Sequence, residues 1–302
     1  MVKFRLGTRG SPLALVQAEM VRAALAAAHG WHPDAIALVP IRTTGDRVQD
    51  RPLAEIGGKA LWTRELDRAL LANEVDGCVH SMKDVETIRP GAIVIAAMLP
   101  RADVRDRLIG ADTVEALREG AVVGTSSPRR RAQMLSLRPD LTIVPLRGNV
   151  DTRLAKLAAG EVDATLLAAA GLDRLGRDAG FAIPTATMLP APSQGAVGVE
   201  VRADDTVAQA AVAAIGDAAT FACVMAERGL LAHLGADCHS PVAALASLAG
   251  ETLSLRACLF AENGSESVAG EIEAALGEPV GASFAADLLA RAPEAIRRLF
   301  NP

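Results

Sequence analysis

The sequence predicts an α/β protein: two similar open-sheet α/β domains joined by hinge strands, followed by a small C-terminal α+β domain. Three observations predict it. Short apolar runs bounded by turn residues alternate with helix-length segments through the first two thirds of the chain, the pattern of a largely parallel sheet covered by helices. The pattern echoes itself: Thr63-Arg64 leads through a helix to Glu74-Val75-Asp76, and Thr152-Arg153 leads through one to Glu161-Val162-Asp163. Beyond about residue 218 the alternation stops, and three strand-like runs precede a helical tail. The expected boundaries are 1–98 with 197–217 for domain one, 99–196 for domain two and 218–302 for domain three. If the strand at 196–201 returns to the first sheet, domain two is an insertion and its two crossings are hinges.

The bulk properties narrow the function. A chain of 302 residues that is 50% hydrophobic can bury two or three cores. A net charge of −5, with 3% aromatics and no Tyr, argues against nucleic acid as a partner. Cys78, Cys223, Cys238 and Cys258 contain no CxxC pair, so neither a metal site nor a disulfide framework is expected. Residues 1–7 read as a strand carrying Lys3 and Arg5, not as an export signal, and no apolar run reaches the roughly 20 residues of a membrane span. The expectation is a cytoplasmic protein that does not enter a membrane, with monomer as the default state.

Taken in order, residues 3–7 alternate as a strand, and Ser11-Pro12 supplies an N-cap and first-turn proline for a helix to about residue 30. Between them, Gly7-Thr8-Arg9-Gly10-Ser11 reads either as an anion-receiving turn or as a plain capped turn. Residues 36–41 form a second strand, and the polar segment from Thr43 to Lys59 is long for a connection. A helix at 61–72 feeds an apolar strand at 75–79. The turn Val79-His80-Ser81-Met82-Lys83-Asp84-Val85 then falls at the strand's carboxyl end, where open α/β sheets bind ligands. Lys83 and Asp84 read there either as a solvated pair or as a cation and a carboxylate set for an anionic substrate and proton transfer. A strand at 93–99 precedes the charged run 101–107, read as solvated surface and as a passage between domains.

The second series opens with a strand at 121–124 and a helix capped by Ser127-Pro128. Arg129, Arg130 and Arg131 occupy its first turn, against the helix dipole, a conflict that an anionic ligand would remove; a surface arginine cluster is the other reading. A strand at 141–146 ends in Arg147-Gly148-Asn149 and leads into the helix with Arg153. The turn-rich 190–195 breaks the pattern before the returning strand. Helices at 207–215 and 218–234, strands at 242–248, 253–260 and 267–272, and a helical region at 279–300 complete the chain. No HExxH, GxxxxGK[ST] or dinucleotide fingerprint is present, which removes zinc hydrolases, P-loop NTPases and most Rossmann enzymes.

The stretches TRGSPLALVQA (8–18), TTGD (43–46), GGKALW (57–62), VHSMKDV (79–85), VGTSSPRR (123–130), LRGNVDTRL (146–154), AGLDRLG (170–176) and SQGAVGVE (193–200) resemble the porphobilinogen deaminase family, in its order and spacing. In the third domain LGADCHSPV (234–242) resembles the segment bearing that family's cofactor cysteine. The resemblance implies a transferase that joins four porphobilinogen molecules, with loss of ammonia, into linear hydroxymethylbilane on a covalently bound dipyrromethane primer. It implies that Asp84 stabilises the cation formed as ammonia leaves and that Cys238 holds the cofactor through a thioether. It gives Arg9, Ser11, Lys83, Ser127, Arg129, Arg130, Arg147, Arg153 and Arg174 to the acetate and propionate groups of cofactor and substrate. Asp46, Lys59 and Trp62 would wall the site, and Gln194 and Gly195 would sit at a hinge near incoming substrate. Trp62 stands where the family usually has Phe, Glu86 where Pro is frequent, Glu55 where some members carry Lys, and Asp237 where Gly precedes the cysteine.

Two lobes of periplasmic-binding-protein type also describe simple anion binders, and fold alone does not separate the readings. A binder needs neither a nucleophilic cysteine nor a carboxylate beside a lysine in its cleft, and a periplasmic one needs an export signal.

Overall fold

The computed structural model describes residues 2–43 and 63–300. Along the chain run Phe4–Arg9 (β1), Pro12–His29 (α1), Ile36–Ile41 (β2), Arg64–Leu71 (α2), Gly77–Ser81 (β3) and Ile93–Met98 (β4). Next come Asp106–Ile109 (β5), Val122–Gly124 (β6), Pro128–Leu137 (α3), Thr142–Val144 (β7), Val150–Ala158 (α4), Ala164–Ala168 (β8), Ala169–Arg174 (α5) and Phe181–Ala182 (β9). The last third holds Val197–Arg202 (β10), Thr206–Ala213 (α6), Ala218–His233 (α7), Val242–Ala249 (β11), Thr252–Phe260 (β12), Ser267–Ala275 (β13), Gly281–Arg291 (α8) and Glu294–Arg297 (α9). The chain forms two compact units, Met1–Ala102 with Gly195–Phe221, and Asp103–Gln194 with Ala222–Pro302.

In the first unit the sheet order is β2-β1-β3-β10-β4. The strands β1, β2 and β3 are parallel, and β10 returns antiparallel between β3 and β4. Helix α1 forms where expected: the Ser11 side chain accepts from Ala14 N–H, Pro12 opens the first turn, and Gly30 closes the helix in the left-handed region. Its Ala18, Val21 and Leu25 are buried with Phe4, Leu6, Ile36, Val199 and Val201. On a second cluster, Leu66 and Leu70 of α2 pack with Val75, Cys78 and Ile93. Burial of each large aliphatic side chain contributes roughly 1.5–3 kcal/mol, so Leu6, Leu25, Leu66 and Leu70 are among the groups that fix the sheet. The strand expected at 75–79 begins instead at Gly77. Asp76 ends a turn by accepting from the backbone N–H of Arg5 (2.8 Å) and from its guanidinium, which delays the strand.

The second unit holds a sheet of order β7-β6-β8-β5-β9, with β6, β7 and β8 parallel and β5 antiparallel to both neighbours. Its core is built on Leu108, Val123, Met134, Leu166 and Met188. The run 101–107 departs from the surface reading, because Asp106 opens β5 and is only 2% exposed. The C-terminal part of this unit is an antiparallel meander, β11-β12-β13, whose core includes Leu230, Leu255, Leu259, Phe284, Leu288 and Ile296. Ala243, Cys258 and Phe260 of the meander pack against Ala132 of α3 and Leu189. The two expected open-sheet domains and the small α+β domain are present.

Candidate active site

Strands β1 and β3 are hydrogen-bonded neighbours, Leu6 opposite Gly77 and Gly7 opposite Cys78, so the turns that follow them share one sheet edge. After β3 a single 3₁₀ turn, Met82–Asp84, carries Lys83 and Asp84. Arg9, Ser11, Leu13, Gln17, His80, Ser81 and Asp84 line a recess at this edge. Three predicted residues, Arg9, Ser11 and Asp84, therefore meet. Gln17 Nε2 donates to Ser81 Oγ (2.7 Å), and Ser81 Oγ donates to Gln17 Oε1 (3.0 Å), which ties α1 to the end of β3. Met82, fully buried, donates its N–H to Ala196 O (3.1 Å) and rests on Gly198, where any Cβ would overlap its Sδ.

Beneath the turn lies a buried charge cluster that the sequence reading missed. Glu200 on β10 has no exposure, and its Oε2 is 3.1 Å from His80 Nε2, an ion pair when the imidazole is protonated. Arg89 donates from Nε to Glu200 Oε1 (2.8 Å) and from Nη2 to Oε2 (2.9 Å). The same guanidinium reaches Glu86 Oε2 at 2.6 Å and Asp67 Oδ1 at 2.5 Å. Thr63 Oγ1 donates to the Glu86 carboxylate at 2.8 Å. Burial alone would raise Glu200's pKa, but His80 and Arg89 outweigh it and bring it down to about 2. For Asp67, burial prevails over its bond to Arg89 and holds the carboxyl above its ordinary value. A lone Glu in the apolar run 196–201 was the available signal, since a charge buried in a strand demands a partner.

The second unit collects the arginines. Arg129 and Arg130 are 3% and 6% exposed, and each puts one Nη2 on Asp106, at 2.8 and 2.7 Å. Their Nη1 groups donate to Leu189 O and Leu166 O. The anion expected to offset the helix dipole is thus supplied in part by the protein itself. Burial would raise Asp106's pKa, yet Arg129 and Arg130 hold it well below the usual carboxylate range. Gln194, 1% exposed, donates to Asp106 Oδ1 (2.9 Å) and Val104 O (2.7 Å). Ser127 caps α3 by accepting from Arg130 N–H. Arg147 follows β7, Arg153 Nε donates to Gly148 O (3.0 Å), and Arg174 ends α5. Nε of Arg129, Nε of Arg130 and Nη1 of Arg147 are buried donors with no hydrogen-bond partner. Such donors cost about 1–3 kcal/mol each when left unpaired, and carboxylates of a bound ligand are the acceptors they suit.

The thiols sort by burial. Cys78, Cys223 and Cys258 are buried, and Cys238 is exposed. Burial pushes the Cys78 thiol well up and the Cys258 thiol to about 11, so both stay protonated at neutral pH. Cys238 sits in a turn closed by Ser240 N–H donating to Asp237 O (3.1 Å), while the Asp237 carboxylate accepts from His239 N–H (2.8 Å). Asp237 is not among the residues with positive φ; Gly235, at φ 60°, takes that conformation. The exposed thiol and the orphaned arginine donors lie in the same unit, and both fit a covalently held group rich in carboxylates. Asp46, Lys59 and Trp62 lie outside the described residues. Gly195 accepts from Ala102 N–H at 3.3 Å, on the first unit's side of the crossing that follows Gln194.

Comparison with known proteins adds three findings. Residues 4–210 match the family model "porphobilinogen deaminase, dipyromethane cofactor binding domain", and residues 221–290 match the model of that family's C-terminal domain. The porphobilinogen deaminase of Sphingopyxis alaskensis is 57% identical over 303 aligned residues, covering 98% of this chain and 96% of the relative. That of Paracoccus denitrificans is 52% identical, covering 96% and 94%. Among solved structures, YhfZ from Shigella flexneri is similar with a TM-score of 0.38 at 18% identity, over 76% of this chain and 96% of that one, a likeness too slight to bear on function.

Proposed function

The chain belongs to the porphobilinogen deaminase family, and from that premise we propose that Asp84 is its catalytic carboxylate and Cys238 the attachment point of its dipyrromethane. The family's enzymes are transferases of tetrapyrrole biosynthesis that act on porphobilinogen, and this chain is one of them. The dipyrromethane, when bound, supplies the primer to which each new pyrrole unit is joined.

Everything else is the work of side chains. Asp84, at the edge of the recess with Arg9 and Ser11, opposes the positive charge that develops on substrate as ammonia leaves. Lys83, Arg9 and Ser11 receive substrate carboxylates on the first unit. On the second, Arg129, Arg130, Arg147, Arg153 and Arg174 grip acetates and propionates, with Ser127 holding the start of α3. For Arg129 and Arg130 the free Nε–H groups, not the arms already given to Asp106, are the donors in question. Gln194 and Gly195 form the hinge. The same reading keeps the domain boundaries at 1–98 with 197–217, 99–196 and 218–302. It takes the protein as a cytoplasmic monomer. No single helix among the described residues is long and apolar enough to cross a membrane, and the exposed large apolar residues, such as Ile88, Phe181 and Val207, lie on separate stretches of chain.

The observation that carries the reading is the exposure of Cys238 against three buried cysteines. Intact-mass analysis of the purified protein is expected to show the chain plus two pyrrole units, mapped to Cys238. Cys238→Ser is expected at the bare mass and without activity. An active, unmodified chain, or an adduct on Cys78, Cys223 or Cys258, overturns it.

A further inference from the structure

We propose that Arg89 is a positioning residue for the catalytic turn: it fastens the far end of the segment 80–89 to a buried carboxylate, Glu200, which His80 faces at ion-pairing distance from the near end, and so fixes where Lys83 and Asp84 point. The proposal rests on the assignment of Asp84 as the catalytic carboxylate. His80 lies four residues before Asp84 and Arg89 five after it, and both reach Glu200 Oε2, at 3.1 and 2.9 Å. Glu200 in turn is fixed by its strand, paired opposite Cys78 in β3. Between these anchors the backbone makes one short turn, closed by Val85 N–H donating to Met82 O at 3.3 Å. Such a turn takes its direction from what holds its ends.

Arg89 suits this task in a way lysine does not. Its planar fork meets both oxygens of Glu200 with Nε and Nη2 while Nη1 holds Glu86, two residues past Asp84, and Nη2 also reaches Asp67 of α2. A lysine ammonium is a point charge without that fixed fork. Glu86 is further held by Thr63, so two separate stretches of chain, the start of α2 and strand β10, converge on the segment that bears the catalytic turn. Catalytic groups need placement to within about 0.5 Å, and a displacement of about 1 Å costs on the order of 10² in rate.

The test compares Arg89→Lys, Arg89→Met and Asp84→Asn with the parent, each counted as holoenzyme by intact mass. Arg89→Lys is expected to keep its cofactor, to fall about tenfold in kcat and to leave KM nearly unchanged; Arg89→Met should fall about 10²-fold. Mass spectra taken after one equivalent of porphobilinogen should show the first addition slowed in both. Arg202→Lys is the control for a merely structural arginine, because Arg202 is on the same strand but braces Leu70 O and Val75 O. It is expected to lower the melting temperature and leave kcat per holoenzyme unchanged. If Arg89→Met does not fold, Arg89→Lys decides. An inactive Asp84→Asn beside an Arg89→Lys within threefold of parent kcat sinks the positioning role alone. An active Asp84→Asn overturns the assignment of Asp84 and the positioning role with it.

Discussion

The first unit's sheet, β2-β1-β3-β10-β4, and the second unit's, β7-β6-β8-β5-β9, have the same arrangement, with three parallel strands followed by an antiparallel one in fourth place. In each the fourth strand is the one that begins just after the chain crosses from the other unit. Each also brings a buried acid, Glu200 on β10 and Asp106 on β5. They differ in depth. Asp106 opens its strand opposite Ala168, the last residue of β8, and so meets the arginines at the start of α3. Glu200 is the fourth residue of its strand, opposite Cys78 within β3, and so lies beneath the turn that carries Asp84. The turns after the matched strands diverge accordingly. Lys83 and Asp84 follow β3, whereas a helix of small residues ending in Arg174 follows β8. On the proposed roles, one scaffold places a carboxylate for chemistry in one unit and cations for binding in the other, and in each a carboxylate on the incoming strand holds the arginines beside it.

The sharpest way to break this comparison is to remove the brace from the binding unit. Asp106→Asn leaves Arg129 and Arg130 buried with no opposing charge, and the expected loss is on the order of 3–5 kcal/mol in stability. Denaturant melts of the holoenzyme measure it, and a loss under 1 kcal/mol would mean that Asp106 is not what compensates the pair. The sign of the pH dependence follows from the same acids. Asp106 and Glu200 both bind protons more weakly folded than unfolded, so their contribution is complete above the ordinary carboxyl range and is lost as pH falls below that range through their depressed folded values. For Glu200 the window runs from about 4.5 down to about 2. Acid titrations of stability should therefore show a shallower decline in Asp106→Asn than in the parent.

Next in size is the chemical asymmetry itself. Asp84→Asn keeps the shape of the turn and removes the charge, and the loss expected for one such electrostatic stabiliser is about 10²–10³ in kcat, with KM changed little. Arg147→Leu, in the binding unit, is expected to do the reverse, raising KM and letting partly extended chains accumulate in native mass spectra. Equal effects of both variants on kcat would erase the division of labour between the units.

What the sequence made legible follows the same line. The resemblance reaches Asp84 and Cys238 through contiguous stretches, 79–85 and 234–242, and their local setting, a strand with its turn in one case and a polar turn after a helix in the other, is readable for that reason. The capped starts of α1 and α3 were readable for the same reason, each resting on Ser-Pro. Arg89 and Glu200 are 111 positions apart, and nothing local in either says that they meet. In the run 101–107 the passage between units falls where expected, and only Asp106 leaves the surface: charge density suggests solvent, but Asp106 is drawn inside by partners 23 and 24 residues away. The strand after α2 was placed two residues early because Asp76 has its partner in β1.

The smallest expected effects distinguish the two sheets most cleanly, because they move a neighbour without touching a charge. At Gly198 a Cβ would displace Met82, the buried first residue of the turn that carries Asp84, and at Gly124 one would press on Leu146, which precedes Arg147. Overpacking of this kind costs about 1–3 kcal/mol, and Met82 can bend away, which puts Gly198→Ala near the lower end. Both alanine variants should then melt slightly below the parent. Their kinetics should part, since a shifted Met82 tilts Asp84 while a shifted Leu146 moves a binding arginine. Gly198→Ala is expected to lower kcat severalfold at nearly constant KM, and Gly124→Ala to raise KM at nearly constant kcat. If Gly198→Ala changes KM alone, the turn above Met82 serves binding, and the contrast between the two sheets fails where it was drawn.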